Sequence, residues 1–135
     1  MELKGNKAIE QAAIDWIIEI ERAAGRDARD TRYRGAPADI ESGDRIIEVK
    51  AFGGFNRGLG LWLETRQVDE ARRNPNFYLY VVENVRQGDP SKFTLKVLGG
   101  QRLQALLERA KERRYYEVPW PVADYDSAAG SLEEL

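Results

Sequence analysis

Nine residues in the second half of the chain do most to limit its fold: Phe77-Tyr78-Leu79-Tyr80-Val81-Val82-Glu83-Asn84-Val85. A segment so nearly continuous in apolar and aromatic side chains has no wet face. It reads as a strand buried on both sides, at the centre of a sheet covered by helices. The rest of the chain must therefore supply neighbouring strands and at least two covering layers.

The first cover is Asn6 to Ala24. Ile9, Ala13, Trp16, Ile17, Ile20 and Ala24 recur with a helical period, and Gly25 ends the run. Gln11, Asp15, Glu19 and Arg22 make the polar face. Glu10 falls inside the apolar arc, between Ile14 and Ile17, with Glu21 nearby. A carboxylate there needs a cationic partner, a raised pKa or a metal. Further on, Arg66–Arg73 reads as a short helix capped by Thr65, with Gln67, Glu70 and Ala71 near one face. Gln101 to about Arg114 reads as a last helix with Leu103, Leu106, Leu107 and Ala110 inward and a basic end at Lys111, Arg113 and Arg114. Expected strands are a charged edge within Arg26–Tyr33, Leu61-Trp62-Leu63, and Phe93–Leu98. The fold class is an α/β (α+β) sandwich, one domain over residues 1–126. An aromatic, irregular stretch runs from Tyr115, placed to pack on the core or a partner, and residues 127–135 are a frayed tail.

The chemistry concentrates in Asp39-Ile40-Glu41-Ser42-Gly43-Asp44-Arg45-Ile46-Ile47-Glu48-Val49-Lys50. A strand ending near Ile40, a turn at Ser42-Gly43-Asp44 and a strand from Arg45 to about Phe52 make a hairpin. Alternation sends Ile47 and Val49 to one face and Ile46, Glu48 and Lys50 to the other. The hairpin partner brings Asp39 alongside. Two carboxylates about 4 Å apart repel by roughly 4 kcal/mol at an effective dielectric of 20. A hard divalent cation reverses that sign, taking few oxygens from protein and the rest from water and phosphate. The triplet alone is weak evidence, since Glu2-Leu3-Lys4 repeats it and a Glu–Lys pair also serves to keep a strand edge soluble. Between this strand and the next lies Gly53-Gly54-Phe55-Asn56-Arg57-Gly58-Leu59-Gly60. It lacks the Lys-Ser/Thr of a phosphate-binding P-loop and reads as a mobile loop over a groove, or a plain connection.

Composition narrows the chemistry. The 135 residues contain no Cys and no His. Disulfides, thiolate and histidine metal sites, and Ser-His-Asp triads are excluded. The net charge of −2 argues against electrostatic coating of nucleic acid but leaves room for a local basic patch. No apolar run approaches the length of a membrane span, no signal-peptide pattern opens the chain, and a cytoplasmic protein is expected.

The order helix, three strands carrying Asp…Glu-x-Lys, helix, strand resembles the αβββαβ core of the restriction-endonuclease-like PD-(D/E)XK superfamily. Within it, Gly5 to about Leu98 resembles the NO VEIN C-terminal-type domain. The resemblance rests on Gly5-Asn6-Lys7-Ala8-Ile9-Glu10, Pro37-Ala38-Asp39-Ile40, Ile47-Glu48-Val49-Lys50, the glycine-rich loop, Thr65-Arg66-Gln67 with Ala71, and Tyr78-Leu79-Tyr80-Val81-Val82. Ala38 separates the motif's proline from its aspartate. The resemblance implies nucleic-acid cleavage with Mg2+ or Mn2+, DNA ahead of RNA. It puts Glu10, Asp39, Glu48 and the Val49 carbonyl at the metal, and makes Asp39, Glu48 and Lys50 catalytic. Gln67 becomes a candidate to position Lys50, water or phosphate. It also implies association with helicase or ATPase modules in defence or DNA processing. Arg57, Arg66, Arg73 and Lys111 are candidates to track the nucleic-acid backbone, and a homodimer stays open. Two alternatives stand beside this: a non-catalytic nucleic-acid-binding module, and a protein-interaction domain using the Tyr115–Tyr125 stretch.

Overall fold

Helix α1 (Asn6–Ala23) is followed by strands β1 (Ala28–Asp30), β2 (Ile40–Ser42) and β3 (Arg45–Ala51). Helix α2 (Thr65–Arg73) then crosses to strand β4 (Phe77–Glu83). Strand β5 (Thr94–Leu98) and helices α3 (Gly100–Glu108) and α4 (Val122–Ser127) complete the chain. This computed structural model describes residues 2–128 and 130. Apart from Ser127, Ala128 and Gly130, the expected frayed tail lies outside the described residues.

The five strands form one sheet in sequence order. All neighbours are antiparallel except β3 and β4, which run parallel and are joined through α2. The order αβββαβ expected from the sequence is present, as is the double-faced strand: every residue of β4 but Tyr78 is buried. One sheet face packs Ile47, Val49, Tyr80 and Val82 against Ile9, Ala13, Ile14 and Ile17 of α1. The other packs Phe77, Leu79 and Val81 against Ala71 of α2 and Leu103 and Leu107 of α3. Gly25 leaves α1 at φ 88 and Gly43 turns β2 into β3 at φ 56, both conformations that disfavour a side chain.

Four expectations change. Leu61-Trp62-Leu63 is not a strand. Both edges of β3 are already taken by β2 and β4, so a strand arriving next has no edge to pair with. Its alternation instead tucks Leu61 and Leu63 against the α2–α3 layer and leaves Trp62 70% exposed. The cap of α2 is Glu64, not Thr65: the Glu64 and Gln67 side chains each bond the other's backbone N–H. Helix α3 stops at Glu108, six residues short of Arg114, because only Leu103 and Leu107 find sheet to cover; Leu106 and Ala110 are exposed. The stretch from Tyr115, expected to be irregular and to pack on the core or a partner, does not pack on the core and forms helix α4 over Val122–Ser127. Its side chains are exposed, with Trp120 and Tyr125 stacked edge to face on one another.

Candidate functional site

The register Ile40↔Ile47 and Ser42↔Arg45 continues by one step to bring Asp39 opposite Glu48. Asp39 is held there by its backbone and its side chain. Its carbonyl accepts from Thr31 N–H at 2.8 Å, and its Oδ2 accepts from Val49 N–H at 2.9 Å. Glu48 pairs with Leu79 across β3–β4 and is 4% exposed. Two residues along the same face, Lys50 Nζ lies 3.4 Å from Glu48 Oε2. Thus Asp39, Glu48 and Lys50 come together as the hairpin reading expects, although β2 begins at Ile40 rather than ending near it, so that Asp39 lies just before the strand.

The electrostatics of the pair are unusual. The Asp39 and Glu48 carboxyls are close enough that each acts on the other's titration, and both are pushed up. Burial, then the Asp39 charge, pushes the Glu48 carboxyl up to about 7, against the pull of Lys50. Burial also raises Asp39, with the Glu10 charge adding and the Val49 N–H opposing. Glu48 Oε1 is buried and has no hydrogen-bond donor. A buried acceptor without a donor costs on the order of 1–3 kcal/mol.

Glu10 stands apart from the pair. Its carboxylate meets Arg32 Nη1 at 3.3 Å and its side chain is 47% exposed. Arg32, with a side chain 9% exposed, also holds Asp30 at 2.7 Å and bonds Gln11. Among the described residues, no three acidic side chains gather as a ready-made cation cage. The buried acid of α1 is instead Glu21, about three helical turns beyond Glu10, in its own hydrogen-bonded cluster. Arg26 grips it bidentately at 2.7 and 2.9 Å, and Ser42 and Tyr80 hydroxyls each donate at 3.1 Å. Arg45 completes the cluster, donating to the Tyr80 hydroxyl at 2.7 Å. Burial pushes Glu21 up, but its donors outweigh it and hold the carboxyl below the usual range.

Gln67 is buried, and its Oε1 is committed to the Glu64 N–H in the helix cap. Among the described residues it makes no hydrogen bond to Lys50. Val49 enters the site through its backbone N–H. A groove of about 470 Å³ opens at the C-terminal end of β3 and includes Asn6, Glu10, Lys50, Gly53 and Arg86 in its lining. Arg57, Arg66, Arg73 and Lys111 do not line it. Arg66 is paired to Glu64 at 3.2 Å and Arg73 to Glu70 at 2.6 Å, while Arg57 and Lys111 are exposed. The glycine-rich loop is tied down at its start rather than free. Asn84 and Arg86 N–H bond the Gly54 and Gly53 carbonyls at 3.0 and 3.1 Å, and the Asn56 N–H bonds the buried Glu83 carboxylate.

Arg32 and Arg86 are the residues that sequence reading passes over. Arg32 is 22 residues from Glu10, and nothing local signals their pairing. Arg86 sits in the turn after β4, whose position beside Gly53 follows only from the parallel pairing of β3 and β4.

No curated protein and no solved structure matches this chain. The family described as Protein NO VEIN, C-terminal, matches residues 9–95, which take in α1 from its fourth residue, all of β1 to β4, Asp39, Glu48 and Lys50. That is well over half of the 135 residues, and the chain belongs to the NO VEIN C-terminal family.

Proposed function

We propose that this domain is a metal-dependent nuclease that hydrolyses phosphodiester bonds, in DNA ahead of RNA. The observation that carries the reading is Glu48 Oε1, a buried carboxylate oxygen with no donor, beside a second carboxylate and an amine. The likeness of the Asp39…Glu48-Val49-Lys50 pattern to the PD-(D/E)XK superfamily supports it. So does the αβββαβ order.

The donor set fits a hard cation: two carboxylates of raised pKa, one with an unmatched oxygen, suit an ion that draws its remaining ligands from water and phosphate. Asp39, Glu48 and the Val49 carbonyl are the groups to hold Mg2+ or Mn2+, whose chemistry is to polarise the phosphate and acidify a bound water. Glu10 is placed to add negative charge from a distance, with Arg32 limiting it. Lys50 offsets the charge that develops on the attacked phosphate and orients the water. A water oxygen forms the new bond to phosphorus, the bond to the departing nucleoside oxygen breaks, and that oxygen takes up a proton. Gln67 has its Nε2 left to orient Lys50, water or a phosphate oxygen. Helicase or ATPase modules in defence or DNA processing are the proposed setting.

The test is plasmid nicking with Mg2+ or Mn2+. Lys50→Ala and Asp39→Asn, the latter keeping an acceptor for Val49 N–H, are expected to lose on the order of 10³-fold in rate with circular dichroism unchanged. Undiminished nicking by both variants refutes the site. A second reading, a protein-interaction module, is favoured by the exposed Tyr115, Tyr116 and Trp120. It expects no cleavage in any metal, and self-association that disappears when residues 115–125 are deleted.

A further inference from the structure

We infer that Arg86 is a phosphate-binding residue of the groove, taking a backbone phosphate of the nucleic acid next to the one at Lys50. The inference rests on the nuclease reading for its ligand, but on separate residues for its geometry.

The charges lining the groove are already matched, with one exception. Lys50 faces Glu48, and Glu10 faces Arg32. Among the described residues, the Arg86 guanidinium has no carboxylate within ion-pair distance. It is therefore the group whose positive charge is available to an incoming anion. Its planar fork suits two oxygens of one phosphate.

Arg86 is also positioned in advance. Its N–H bonds the Gly53 carbonyl at 3.1 Å and its carbonyl accepts from Leu3 N–H at 2.6 Å, so its backbone is fixed on both sides. Its guanidinium lies directly over Gly53. A Cβ added there would stand 2.7 Å from Nη2 and 2.8 Å from Cζ. Glycine at 53 thus makes room for the guanidinium. An arginine whose backbone is already fixed leaves only its side chain to be ordered on binding. The chain places this cation at the lip of the same groove that Lys50 lines.

The experiment is fluorescence anisotropy of a labelled duplex and a labelled single strand. It is done in EDTA over a series of salt concentrations, beside nicking assays with metal. Arg86→Ala is expected to weaken binding about tenfold and to lower the slope of log affinity against log salt by about one. Arg86→Lys is expected to restore the slope but not the full affinity, since an ammonium lacks the fork. Gly53→Ala keeps the charge but displaces the guanidinium. It is expected to weaken binding severalfold with the salt slope and melting temperature unchanged. Binding by Arg86→Ala equal to wild type, with the same slope, overturns the inference, as does a wild type that binds neither strand. If wild type binds through Arg86 but no metal supports cleavage, the nuclease reading falls and this site stands. If wild type cleaves and Arg86→Ala matches it in both binding and KM, the reverse holds.

Discussion

Glu21 and Glu48 are two nearly inaccessible carboxylates on opposite faces of one sheet, and they are treated in opposite ways. Glu21, 2% exposed, receives four hydrogen bonds from Arg26, Ser42 and Tyr80 and is held ionised. Glu48, 4% exposed, has a second carboxylate for a neighbour, one amine at 3.4 Å and an oxygen with no donor. Burial penalises both equally in kind; the donors decide the outcome. Glu21 ties α1 to the sheet. Glu48 is left short of positive charge, and what it lacks is what a divalent cation brings.

The largest expected effect falls on the satisfied side. Glu21→Ala leaves the Ser42 and Tyr80 hydroxyls buried without their acceptor and frees Arg26 of its partner. A loss of about 3–5 kcal/mol in urea unfolding is expected. A loss below about 1 kcal/mol would erase the distinction between the two acids.

The pH dependence sharpens it next. Glu48 keeps its proton in the folded state up to about 7, against an ordinary value of 4.5. Its stabilisation is complete below pH 4.5 and is lost as pH rises to 7, by up to about 3 kcal/mol. Glu21, lowered, works the other way: its contribution is present above its ordinary 4.5 and fades as pH falls through its depressed value. Without metal, the melting temperature is expected to drop between pH 5 and 8. Mn2+ is expected to raise it more at pH 8 than at pH 5. Glu48→Gln is expected to flatten that drop and add about 1–2 kcal/mol at pH 8, with metal stabilisation gone. A wild-type profile that is flat over this interval, with no response to Mn2+, contradicts the account of Glu48.

The smallest effect belongs to a carboxylate paired at the surface. Glu70 is held by Arg73, whose side chain is 75% exposed. Arg73→Ala is expected to cost less than about 0.5 kcal/mol by the same unfolding measurement. A cost near that of Glu21→Ala would mean that burial of the donors is irrelevant, and the contrast would collapse.

What the sequence made legible here has a physical pattern. Strand β4 could be read because a segment apolar on both faces has one home. Glu48 and Lys50 could be placed on one face because strand alternation is strict, and Asp39 alongside them because a hairpin returns the chain, although the turn is the two residues Gly43-Asp44 rather than the expected Ser42-Gly43-Asp44. Glu10 and Glu21 both fall in the apolar arc of α1, and the helical wheel alone does not separate them. Their fates depend on Arg32, Arg26, Ser42 and Tyr80, which reach them from other segments. Leu61–Leu63 has a strand's alternation, but both sides of the preceding strand β3 are taken by β2 and β4. Arg57, Arg66, Arg73 and Lys111 were plausible by charge alone, and charge says nothing about which groove a side chain lines. Arg86 required knowing that the end of β3 and the end of β4 lie side by side.

The acids at 39 and 48 and the amine at 50 ride on a single hairpin of twelve consecutive residues. Leu79 and the helices over that face, which bury it, come from distant parts of the chain. Reactive groups and their tuning are thus inherited on separate stretches. On the proposed nuclease reading, substitutions in the α2–α3 layer would retune how strongly the hairpin attracts a cation while Asp39, Glu48 and Lys50 stay intact, a route to gain or lose activity without touching the signature by which the domain would be recognised.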